Sequence, residues 1–309
     1  MRFVVTGGAG FIGSHIAETL ARRGDEVVIL DNLFSGRVEN IQHLLDIPAV
    51  TFLNGSITDQ PFLRNACKGA DGIFHEAAIT SVPRSVKDPI ASNDANVSGT
   101  LNVLVAAQKC GVNKIVYASS SSVYGDTPTL PKREDMVPNP KSPYAITKLA
   151  GEYYLKVFHE LYGIDTVSLR YFNVFGPRQD PHSEYSAVIP KFITKLLHHE
   201  SPVIYGDGSQ TRDFTYVKDV AQANVRAMDS PAQGIFNVAY GSRISLVELA
   251  HLIMESLGEE QPLTFEPPRS GDIHDSLAAI TAAQDAFGYA PEYTVKTGLQ
   301  ETIQWYQNQ

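Results

Sequence analysis

A glycine-rich turn between a strand and a helix restricts the fold of this chain more than any other feature. In the run Thr6-Gly7-Gly8-Ala9-Gly10-Phe11-Ile12-Gly13, glycine recurs at every third position from Gly7. An apolar strand is predicted at residues 3–5 and an amphipathic helix at residues 12–23. The early glycines permit a tight turn, and the last one lets the helix pack closely on the strand. With a second strand predicted at residues 27–30, residues 1–31 are expected to form a β-α-β unit.

Short apolar runs alternate with helical patterns through the rest of the first half. Further strands are predicted at residues 50–53, 72–75, 114–118 and 166–170, and helices at residues 99–109 and 144–161. Strands that alternate with helices favour the α/β class, with a parallel sheet that is covered on both faces. We therefore expect a Rossmann-type, doubly wound parallel sheet over residues 1–172.

Proline and glycine interrupt the second half of the chain, which predicts a more irregular structure. Helices are expected at residues 188–199 and 246–257. We place a smaller α/β C-terminal substrate-binding lobe at residues 173–309. Residues 213–240 are expected to return in part to the sheet, since 213–228 has the pattern of a strand followed by a helix. The boundary between the two parts is therefore discontinuous.

Composition and charge exclude several classes of function. The chain has 309 residues and a net charge of −9, whereas non-specific nucleic-acid binding needs clustered Lys and Arg. Its two cysteines, Cys67 and Cys110, lack a metal-ligand spacing, so we expect no metal site. Nothing resembles a signal peptide, and no apolar run reaches the roughly 18–20 residues of a membrane span. We expect a cytoplasmic protein without a membrane partner.

The context of the glycine turn predicts a dinucleotide site. Unpaired N–H groups and the helix dipole favour a pyrophosphate at the start of the first helix. Asp31 ends the second strand, where an acid hydrogen-bonds the adenosine ribose diol. A carboxylate there repels a 2′-phosphate, which favours NAD over NADP, although the nearby Arg37 leaves NADP open. The alternative is a Rossmann domain that binds no dinucleotide.

Tyr144 and Lys148 form a Y-x-x-x-K string that predicts acid–base chemistry. On a helix, positions i and i+4 share a face, so the phenol and the ammonium can act together. A free phenol has a pKa of about 10 and is a poor base at neutral pH. A neighbouring ammonium and a positive nicotinamide ring stabilise the phenolate. The pair would then accept a proton from an alcohol while hydride leaves, although such a pair on a surface helix can also arise by chance.

A run of serines follows the strand predicted at residues 114–118. Ligands of open α/β sheets bind at the carboxyl ends of strands, which is where Ser119-Ser120-Ser121-Ser122-Val123-Tyr124-Gly125 lies. We assign the role of holding the reacting oxygen to Ser120, with Ser121 and Ser122 as neighbours. The alternative is a run of helix N-caps, which fits some of these serines.

These motifs, with others in the same order, resemble a known family along nearly the whole chain. The matching segments are residues 6–13, 31–33, 75–78, 96–100, 119–125, 144–148, 170–173, 208–213 and 269–272. The chain resembles the extended short-chain dehydrogenase/reductases, and within them the NAD-dependent nucleotide-sugar epimerases. It is most similar to UDP-hexose 4-epimerases, and residues 80–85, 174–181 and 188–191 resemble the UDP-N-acetylglucosamine branch.

The resemblance implies a set of ligand contacts. It implies that NAD contacts Gly7, Gly10, Phe11, Ile12, Gly13, Asp31, Asn32, Ser35, Gly36, Ser56, Ile57, Ala77, Ala78, Ile79, Asn96, Ser119, Tyr144, Lys148, Tyr171 and Val174. It implies that a UDP-sugar contacts Thr80, Ser81, Ser120, Ser121, Tyr144, Asn173, Ala187, Val188, Lys191, Tyr205, Arg212, Arg269, Asp272 and Ser276. Of these, Asn173, Arg212 and Arg269 would hold the diphosphate, because guanidinium groups bind phosphate oxygens in pairs.

Two positions depart from the family pattern. Ser56 stands where the family often has an acid that meets the adenine amino group, and its hydroxyl accepts that hydrogen bond without charge. Ser276 stands where members restricted to unsubstituted hexoses carry a large aromatic residue. A small serine leaves room for an N-acetyl group, and such a pocket also admits UDP-glucose and UDP-galactose.

The resemblance implies a UDP-hexose 4-epimerase with Ser120, Tyr144 and Lys148 as its catalytic residues. Related dehydratases and decarboxylases usually carry an acid between the serine stretch and Tyr124-Gly125, and residues 121–123 supply none. Oxidation and re-reduction at C4 is then the simpler chemistry. The alternatives are another nucleotide-sugar enzyme of this family, a 4,6-dehydratase, reductase or decarboxylase, or a non-catalytic regulator that binds NAD.

A homodimer is expected from the same resemblance. Relatives build a four-helix interface from the helices that correspond to residues 99–109 and 144–161. The apolar residues Leu101, Leu104, Val105, Leu155 and Phe158 fit such an interface and equally fit packing within one chain.

Overall fold

The structure, a computed structural model, describes residues 1–181, 187–268 and 274–309. The strands are β1 (Arg2–Thr6), β2 (Glu26–Asp31), β3 (Val50–Asn54), β4 (Gly72–His75), β5 (Lys114–Ser120), β6 (Asp165–Tyr171), β7 (Val174–Phe175), β8 (Val203–Tyr205), β9 (Thr211–Arg212), β10 (Thr215–Tyr216), β11 (Gly234–Val238), β12 (Ile244–Ser245) and β13 (Thr264–Glu266). The helices are α1 (Phe11–Arg23), α2 (Gln60–Ala66), α3 (Val82–Lys87), α4 (Pro89–Asn93), α5 (Gly99–Cys110), α6 (Pro143–Tyr162), α7 (Val188–Leu197), α8 (Val217–Asp229), α9 (Leu246–Leu257), α10 (Thr281–Phe287) and α11 (Val295–Gln307).

Seven parallel strands form the central sheet in the order β11-β6-β5-β4-β1-β2-β3. After β1 the chain adds β2 and β3 on one side of the sheet and then β4 and the later strands on the other. The strand order therefore reverses between β1 and β4, which creates a crevice at their carboxyl ends. Each strand predicted in the first half is present, and most are one or two residues longer than expected. The predicted α/β, Rossmann-type fold is confirmed.

The chain returns to the sheet within residues 213–240, through a strand that lies after the strand-to-helix pattern of residues 213–228. The strand within residues 213–228 is β10, and it pairs with β7 in a separate two-stranded ribbon. The seventh strand of the sheet is instead β11, which pairs with β6. The strand-to-helix pattern of residues 213–228 corresponds to β10 and α8, and β11 follows that helix after a short connection that includes Pro231.

Apolar clusters on the two faces of the sheet explain the double winding. Along β2, Val27 and Ile29 face one cluster while Val28 and Leu30 face the other, as the two-residue period of a strand requires. The first cluster includes residues of α1, α8 and α10, and the second includes residues of α2, α5 and α6. Both faces of the sheet are therefore buried beneath helices.

A third apolar cluster holds α7, α9 and α11 together beyond the carboxyl edge of the sheet. Ser245 and Glu248 form a capping box that starts α9. The ribbons β9–β12 and β8–β13 lie in this part of the chain. Its separation from the sheet as a substrate-binding lobe remains a prediction. Among the described residues, no helix combines the length and apolar character needed to cross a membrane.

Candidate active site

Main-chain contacts impose glycine on the turn at the crevice. Gly7 has a φ of +67°, and a Cβ atom added to it would lie 2.7 Å from the Ala77 nitrogen. A Cβ atom on Gly13 would lie 2.2 Å from the Gly7 carbonyl oxygen. Gly10 precedes α1, and within the described chain no side chain caps that helix. The first amides of α1 thus fit a pyrophosphate, which a side chain at these positions would exclude.

Asp31 links the glycine turn to the loop after β2. Its Oδ2 accepts a hydrogen bond from the Ala9 N–H at 3.0 Å, and its Oδ1 accepts one from the Leu33 N–H at 2.8 Å. Burial raises the pKa of this carboxyl group, and the two backbone hydrogen bonds oppose that effect. A carboxylate has about four lone-pair sites, so two remain for the predicted ribose diol.

The residues after Asp31 that are predicted to contact the adenosine belong to the same loop. Gly36 is so close to Asp31 that a Cβ atom would lie 2.7 Å from the carboxylate oxygens. Asn32 accepts a hydrogen bond from the Phe34 N–H at 3.1 Å, and Ser35 is exposed. Arg37, the residue that kept NADP open, pairs with Asp180 at 3.1 Å.

The remaining residues predicted to bind NAD divide between the crevice and the protein interior. The Ser56 hydroxyl accepts a hydrogen bond from the Thr58 N–H, and Ile57 packs against Gly99. Asn96 uses its amide to accept from the Ile79 N–H at 2.7 Å and to donate to the Ile79 carbonyl at 3.0 Å. Asn96 therefore fixes the loop that contains Ala77, Ala78 and Ile79. Val174, the other predicted contact, lies in β7, which follows β6 in the chain.

The start of α6 places Tyr144 and Lys148 at the same edge of the sheet. Ser142 caps the helix by accepting from the Ala145 N–H at 3.2 Å, and the Tyr144 N–H donates to the Ser85 hydroxyl of α3 at 3.0 Å. Lys148 lies one turn later and donates from Nζ to the Ala118 carbonyl of β5 at 2.7 Å. Its Nζ is 6.0 Å from the centre of the Tyr144 ring.

Burial dominates the electrostatics of this pair in the protein itself. Burial raises the pKa of Tyr144 to about 12, because the phenolate would lose its hydration, and the hydrogen bond with Ser120 only partly offsets this. Burial also lowers the pKa of Lys148. The sequence prediction assigned a lowered Tyr144 pKa to the ammonium together with a positive nicotinamide ring, and it stays a prediction. The Ala118 carbonyl holds the ammonium in place for that role.

The serine run has several separate roles. Ser120 lies beside Tyr144 and lowers the pKa of its phenol, and its hydroxyl accepts from the Ser122 N–H at 3.2 Å as the cap of a short helical turn. The Ser119 side chain turns into the protein and donates its hydroxyl proton to Glu152 at 2.5 Å. That proton is therefore engaged within the protein and is not available for the predicted contact with NAD. Ser121 begins the helical turn that Ser120 caps. The capping interpretation thus applies to Ser120, and its role at the reacting oxygen stays a prediction.

Two buried carboxylates near this edge were not singled out in the sequence. Glu152 forms a paired hydrogen bond with Arg170 at 2.8 and 2.7 Å, and both side chains are almost fully buried. Glu76 follows β4 and accepts from the Tyr171 hydroxyl at 2.8 Å. The signal available was position: Glu76 directly follows a strand of a parallel sheet, inside one of the segments that carried the resemblance.

On the predicted substrate side, Ser81 has a φ of +116° and accepts from the Arg84 N–H at 3.2 Å, which starts α3 next to the exposed Thr80. Asn173 donates from Nδ2 to the Asp213 carbonyl and to the Ser276 hydroxyl, both at 2.9 Å. Both N–H groups of the Asn173 side-chain amide are engaged in these bonds. If either of them is to contact a diphosphate, one of the bonds must break.

The other predicted substrate residues lie on separate elements of the C-terminal part. Arg212, in β9, donates to the His274 carbonyl at 2.9 Å. Ala187 precedes α7, Val188 and Lys191 lie in its first turn, and Tyr205 ends β8. Arg269 and Asp272 lie outside the described residues.

Asp213 organises this region, and the sequence did not predict its role. Its carboxylate accepts from the Tyr240, Gly241 and Ala278 N–H groups at 3.0 to 3.2 Å. Burial nevertheless raises the pKa of Asp213 to about 7.

A parallel sheet with a glycine turn at its crevice and a Ser–Tyr–Lys group beside it defines a dinucleotide-dependent short-chain dehydrogenase/reductase. The model of the NAD-dependent epimerase/dehydratase family matches residues 3–239. The UDP-glucose 4-epimerase of Mycolicibacterium smegmatis is 41% identical, over 100% of this chain and 99% of the relative. Relatives named as UDP-sugar decarboxylases match as well.

Solved structures are similar over the whole length. A UDP-N-acetylglucosamine 4-epimerase from Methanobrevibacter ruminantium, in complex with UDP-N-acetylmuramic acid, has a TM-score of 0.96 and 43% identity, covering 99% of this chain and 98% of that one. The UDP-glucose 4-epimerase of Thermus thermophilus, in complex with NAD, has a TM-score of 0.90 and 38% identity, covering 99% of both chains. The chain belongs to the NAD-dependent epimerase/dehydratase family, whose cofactor is NAD.

Proposed function

We propose that this protein is a UDP-hexose 4-epimerase that uses a resident NAD. The observation that carries the proposal is the meeting of Ser120, Tyr144 and Lys148 at the carboxyl edge of β5, beside the glycine turn. Relatives named as UDP-glucose and UDP-N-acetylglucosamine 4-epimerases, at more than 40% identity over nearly the whole chain, support it.

In the mechanism, each residue acts on the sugar C4 hydroxyl or on the base that serves it. NAD, when bound, supplies a hydride acceptor that becomes a hydride donor in the return step. Tyr144 accepts the hydroxyl proton, and Ser120 holds the reacting oxygen and relays that proton. Lys148 favours the phenolate electrostatically and binds the nicotinamide ribose. The 4-keto sugar would then turn over while its UDP stays bound, so that the opposite face of C4 takes back the hydride, and Tyr144 would return the proton to the C4 oxygen.

The resident state of NAD follows from the same chemistry. Because oxidation and reduction at C4 cancel over one turnover, the cofactor ends each cycle as it began. The turn that includes Gly7 and Gly13 and the Asp31 carboxylate would hold it at the pyrophosphate and the ribose. We propose that Phe11, Ile12 and the loop at residues 77–79 complete this site.

We further propose that N-acetylated sugars are accepted. Ser276 is small, and its hydroxyl oxygen accepts hydrogen bonds from the Asn173 side-chain amide at 2.9 Å and from the Asp213 N–H at 3.2 Å. These two bonds fix the orientation of the side chain. A serine fixed in this way leaves space that an aromatic side chain would fill. UDP-glucose and UDP-galactose would then also be substrates, since a roomy pocket does not exclude smaller sugars.

The alternative reactions of the family give different products. A 4,6-dehydratase would release a 4-keto-6-deoxy sugar, and a reductase or decarboxylase would produce a net change in NADH or release carbon dioxide. A non-catalytic NAD-binding regulator would convert none of these sugars.

The test is incubation of the purified protein with UDP-glucose, UDP-galactose and their N-acetylated counterparts, without added NAD, followed by chromatography. We expect each sugar to equilibrate with its C4 epimer. If none of the four sugars is converted, the proposal is refuted. A 4-keto-6-deoxy product would show instead that the protein is a 4,6-dehydratase.

We also propose a homodimer through α6. Leu104, Leu155 and Phe158, which the sequence offered for an interface, are buried in the core of the chain itself. A different stripe of α6 is exposed, formed by Ile146, Tyr153, Val157 and Leu161. A second copy would cover this stripe, and light scattering on the purified protein should give twice the monomer mass.

A further inference from the structure

The turn of α6 that contains Tyr144 is tied to a neighbouring helix through its backbone. The first N–H groups of a helix have no partner within that helix. Pro143 has no N–H group, and the Ser142 hydroxyl accepts the Ala145 N–H at 3.2 Å. Tyr144, between them, donates its N–H to the Ser85 hydroxyl of α3 at 3.0 Å. The backbone of Tyr144 is therefore held from outside α6.

Ser85 is a buried polar residue on a short helix whose two valines are exposed. Its side chain is fully buried, whereas Val82 and Val86 are 42% and 63% exposed. Ser85 donates its hydroxyl proton to the Val82 carbonyl at 2.7 Å. Because a hydroxyl has one proton, the oxygen can then only accept, which is what the Tyr144 N–H requires. A serine that is buried where valines are not indicates a position selected for hydrogen bonding.

Other hydrogen bonds hold α6 at positions after Tyr144. Thr147 accepts from Asn96 Nδ2 at 3.0 Å, and Lys148 donates from Nζ to a carbonyl group of β5 at 2.7 Å. Loss of the Ser85 bond would therefore release the end of the helix that contains the phenol, while Lys148 stays on β5. The distance between the phenol and the ammonium would then change.

We propose that Ser85 is a positioning residue: by accepting the Tyr144 N–H, its hydroxyl fixes where the phenol lies relative to Ser120 and Lys148. The consequence for turnover rests on the proposed function, in which Tyr144 is the base. A displacement of about 1 Å can lower the rate of a reaction about 10²-fold. The Ser142 cap remains when Ser85 is replaced, so α6 still forms and the effect falls on the position of Tyr144.

The kinetic test compares Ser85→Ala with Ser92→Ala. Ser92 of α4 is also fully buried and donates in the same way, to the Asp88 carbonyl at 3.0 Å, and no hydrogen bond within the described chain joins its side chain to α6. Both variants lose a buried hydroxyl, but only Ser85→Ala leaves the Tyr144 N–H without its acceptor. We expect kcat to fall about ten- to a hundredfold in Ser85→Ala, with KM unchanged, and to stay near wild type in Ser92→Ala.

The division between kcat and KM separates positioning from substrate binding. An unchanged kcat in Ser85→Ala, equal losses in the two alanine variants, or a rise in KM alone would overturn the proposal. The last result would mean that α3 acts on substrate binding instead. Ser85→Thr keeps the hydroxyl and should recover most of the lost kcat.

A second readout is independent of activity. The whole chain is labelled with tyrosine that carries 13C at Cζ, and the Tyr144 NMR signal is assigned by its absence from Tyr144→Phe. We expect this signal to shift in Ser85→Ala, because the phenol moves relative to Ser120 and Lys148, and to coincide with wild type in Ser92→Ala. Coincident signals in Ser85→Ala and wild type would overturn the inference, whereas a wild type without epimerase activity would refute only the proposed function.

If Ser85→Ala does not fold, Ser85→Cys and Ser92→Cys replace the two alanine variants. Sulfur is a weak acceptor, so the Tyr144 N–H is held less firmly while the side chain keeps nearly the same shape. The Tyr144 signal should again shift in the Ser85 variant alone. No shift, or equal shifts in both cysteine variants, would contradict the proposal.

Discussion

The two sides of the crevice are stabilised in different ways. On the side proposed to bind NAD, main-chain atoms set the geometry, since Gly7 lies against Ala77 and Gly13 against Gly7. On the side proposed to bind the substrate, polar side chains set it: Asp213 accepts hydrogen bonds from three backbone N–H groups, and Asn173 donates one to Ser276. Backbone contacts of this kind demand one residue type, whereas side-chain contacts allow many. The first side is thus conspicuous in a sequence and the second is not.

Tyr144→Phe should produce the largest effect, because Tyr144 lies where the two sides meet. Loss of the phenol removes the base for the C4 hydroxyl, and acid–base groups contribute about 10²- to 10⁴-fold. We expect kcat to fall by at least about 10³-fold. NAD content and thermal unfolding should stay near those of wild type, and full activity in this variant would contradict the mechanism.

Glu152→Ala should destabilise both sides together. The change leaves Arg170 buried and unpaired, which typically costs about 3–5 kcal/mol. Urea unfolding measures the free energy of unfolding. Glu160→Ala on the same helix is the matched control, since its pair with Lys156 is exposed and 3.9 Å long and contributes at most about 1 kcal/mol. Equal losses in the two variants would show that the buried ion pair contributes no more to the free energy of unfolding than the exposed one.

Gly13→Ala should separate the two sides. The new Cβ atom would meet the Gly7 carbonyl at 2.2 Å, so the turn must shift, at a typical cost of about 1–3 kcal/mol. We expect NAD affinity to fall at least about tenfold and UDP affinity to stay the same, both measured by calorimetry. Gly24→Ala, at the other end of α1, adds strain at a φ of +89°, but its Cβ atom meets nothing within 4 Å, so this control should leave NAD affinity unchanged.

Asp213 gives the smallest effect over any one pH unit, and it tests the proposed substrate side alone. Its pKa is raised to about 7 in the folded protein, so folding favours the protonated form. Its contribution to stability is complete below about pH 4 and is lost as the pH rises through 7. The loss amounts to at most about 1.4 kcal/mol per pH unit. Asp213→Asn should remove this slope from urea unfolding between pH 4 and 7, and an unaltered slope would assign it to other groups.

The same contrast explains what could be predicted from the sequence. The glycine turn, Asp31 and the Tyr144–Lys148 spacing are local patterns, and the structure brings them to one edge of the sheet. The role of Asp213 and the fixed orientation of Ser276 depend on chain segments about sixty residues apart. The engagement of Asn96 and Ser119 by other protein groups also depends on tertiary packing. Glu76 was missed because the hydrogen bond that holds its carboxyl group comes from Tyr171, two strands away in the sheet.

The most direct measurement of the central claim follows the hydrogen atom at C4. UDP-glucose that carries deuterium at C4 is converted by the purified protein in ordinary water, and the UDP-galactose product is analysed by NMR and mass spectrometry. If Tyr144 and the resident NAD oxidise and reduce the same carbon within one turnover, the deuterium stays at C4 of the epimer. Loss of the deuterium to solvent, or its recovery at another carbon, would contradict the account.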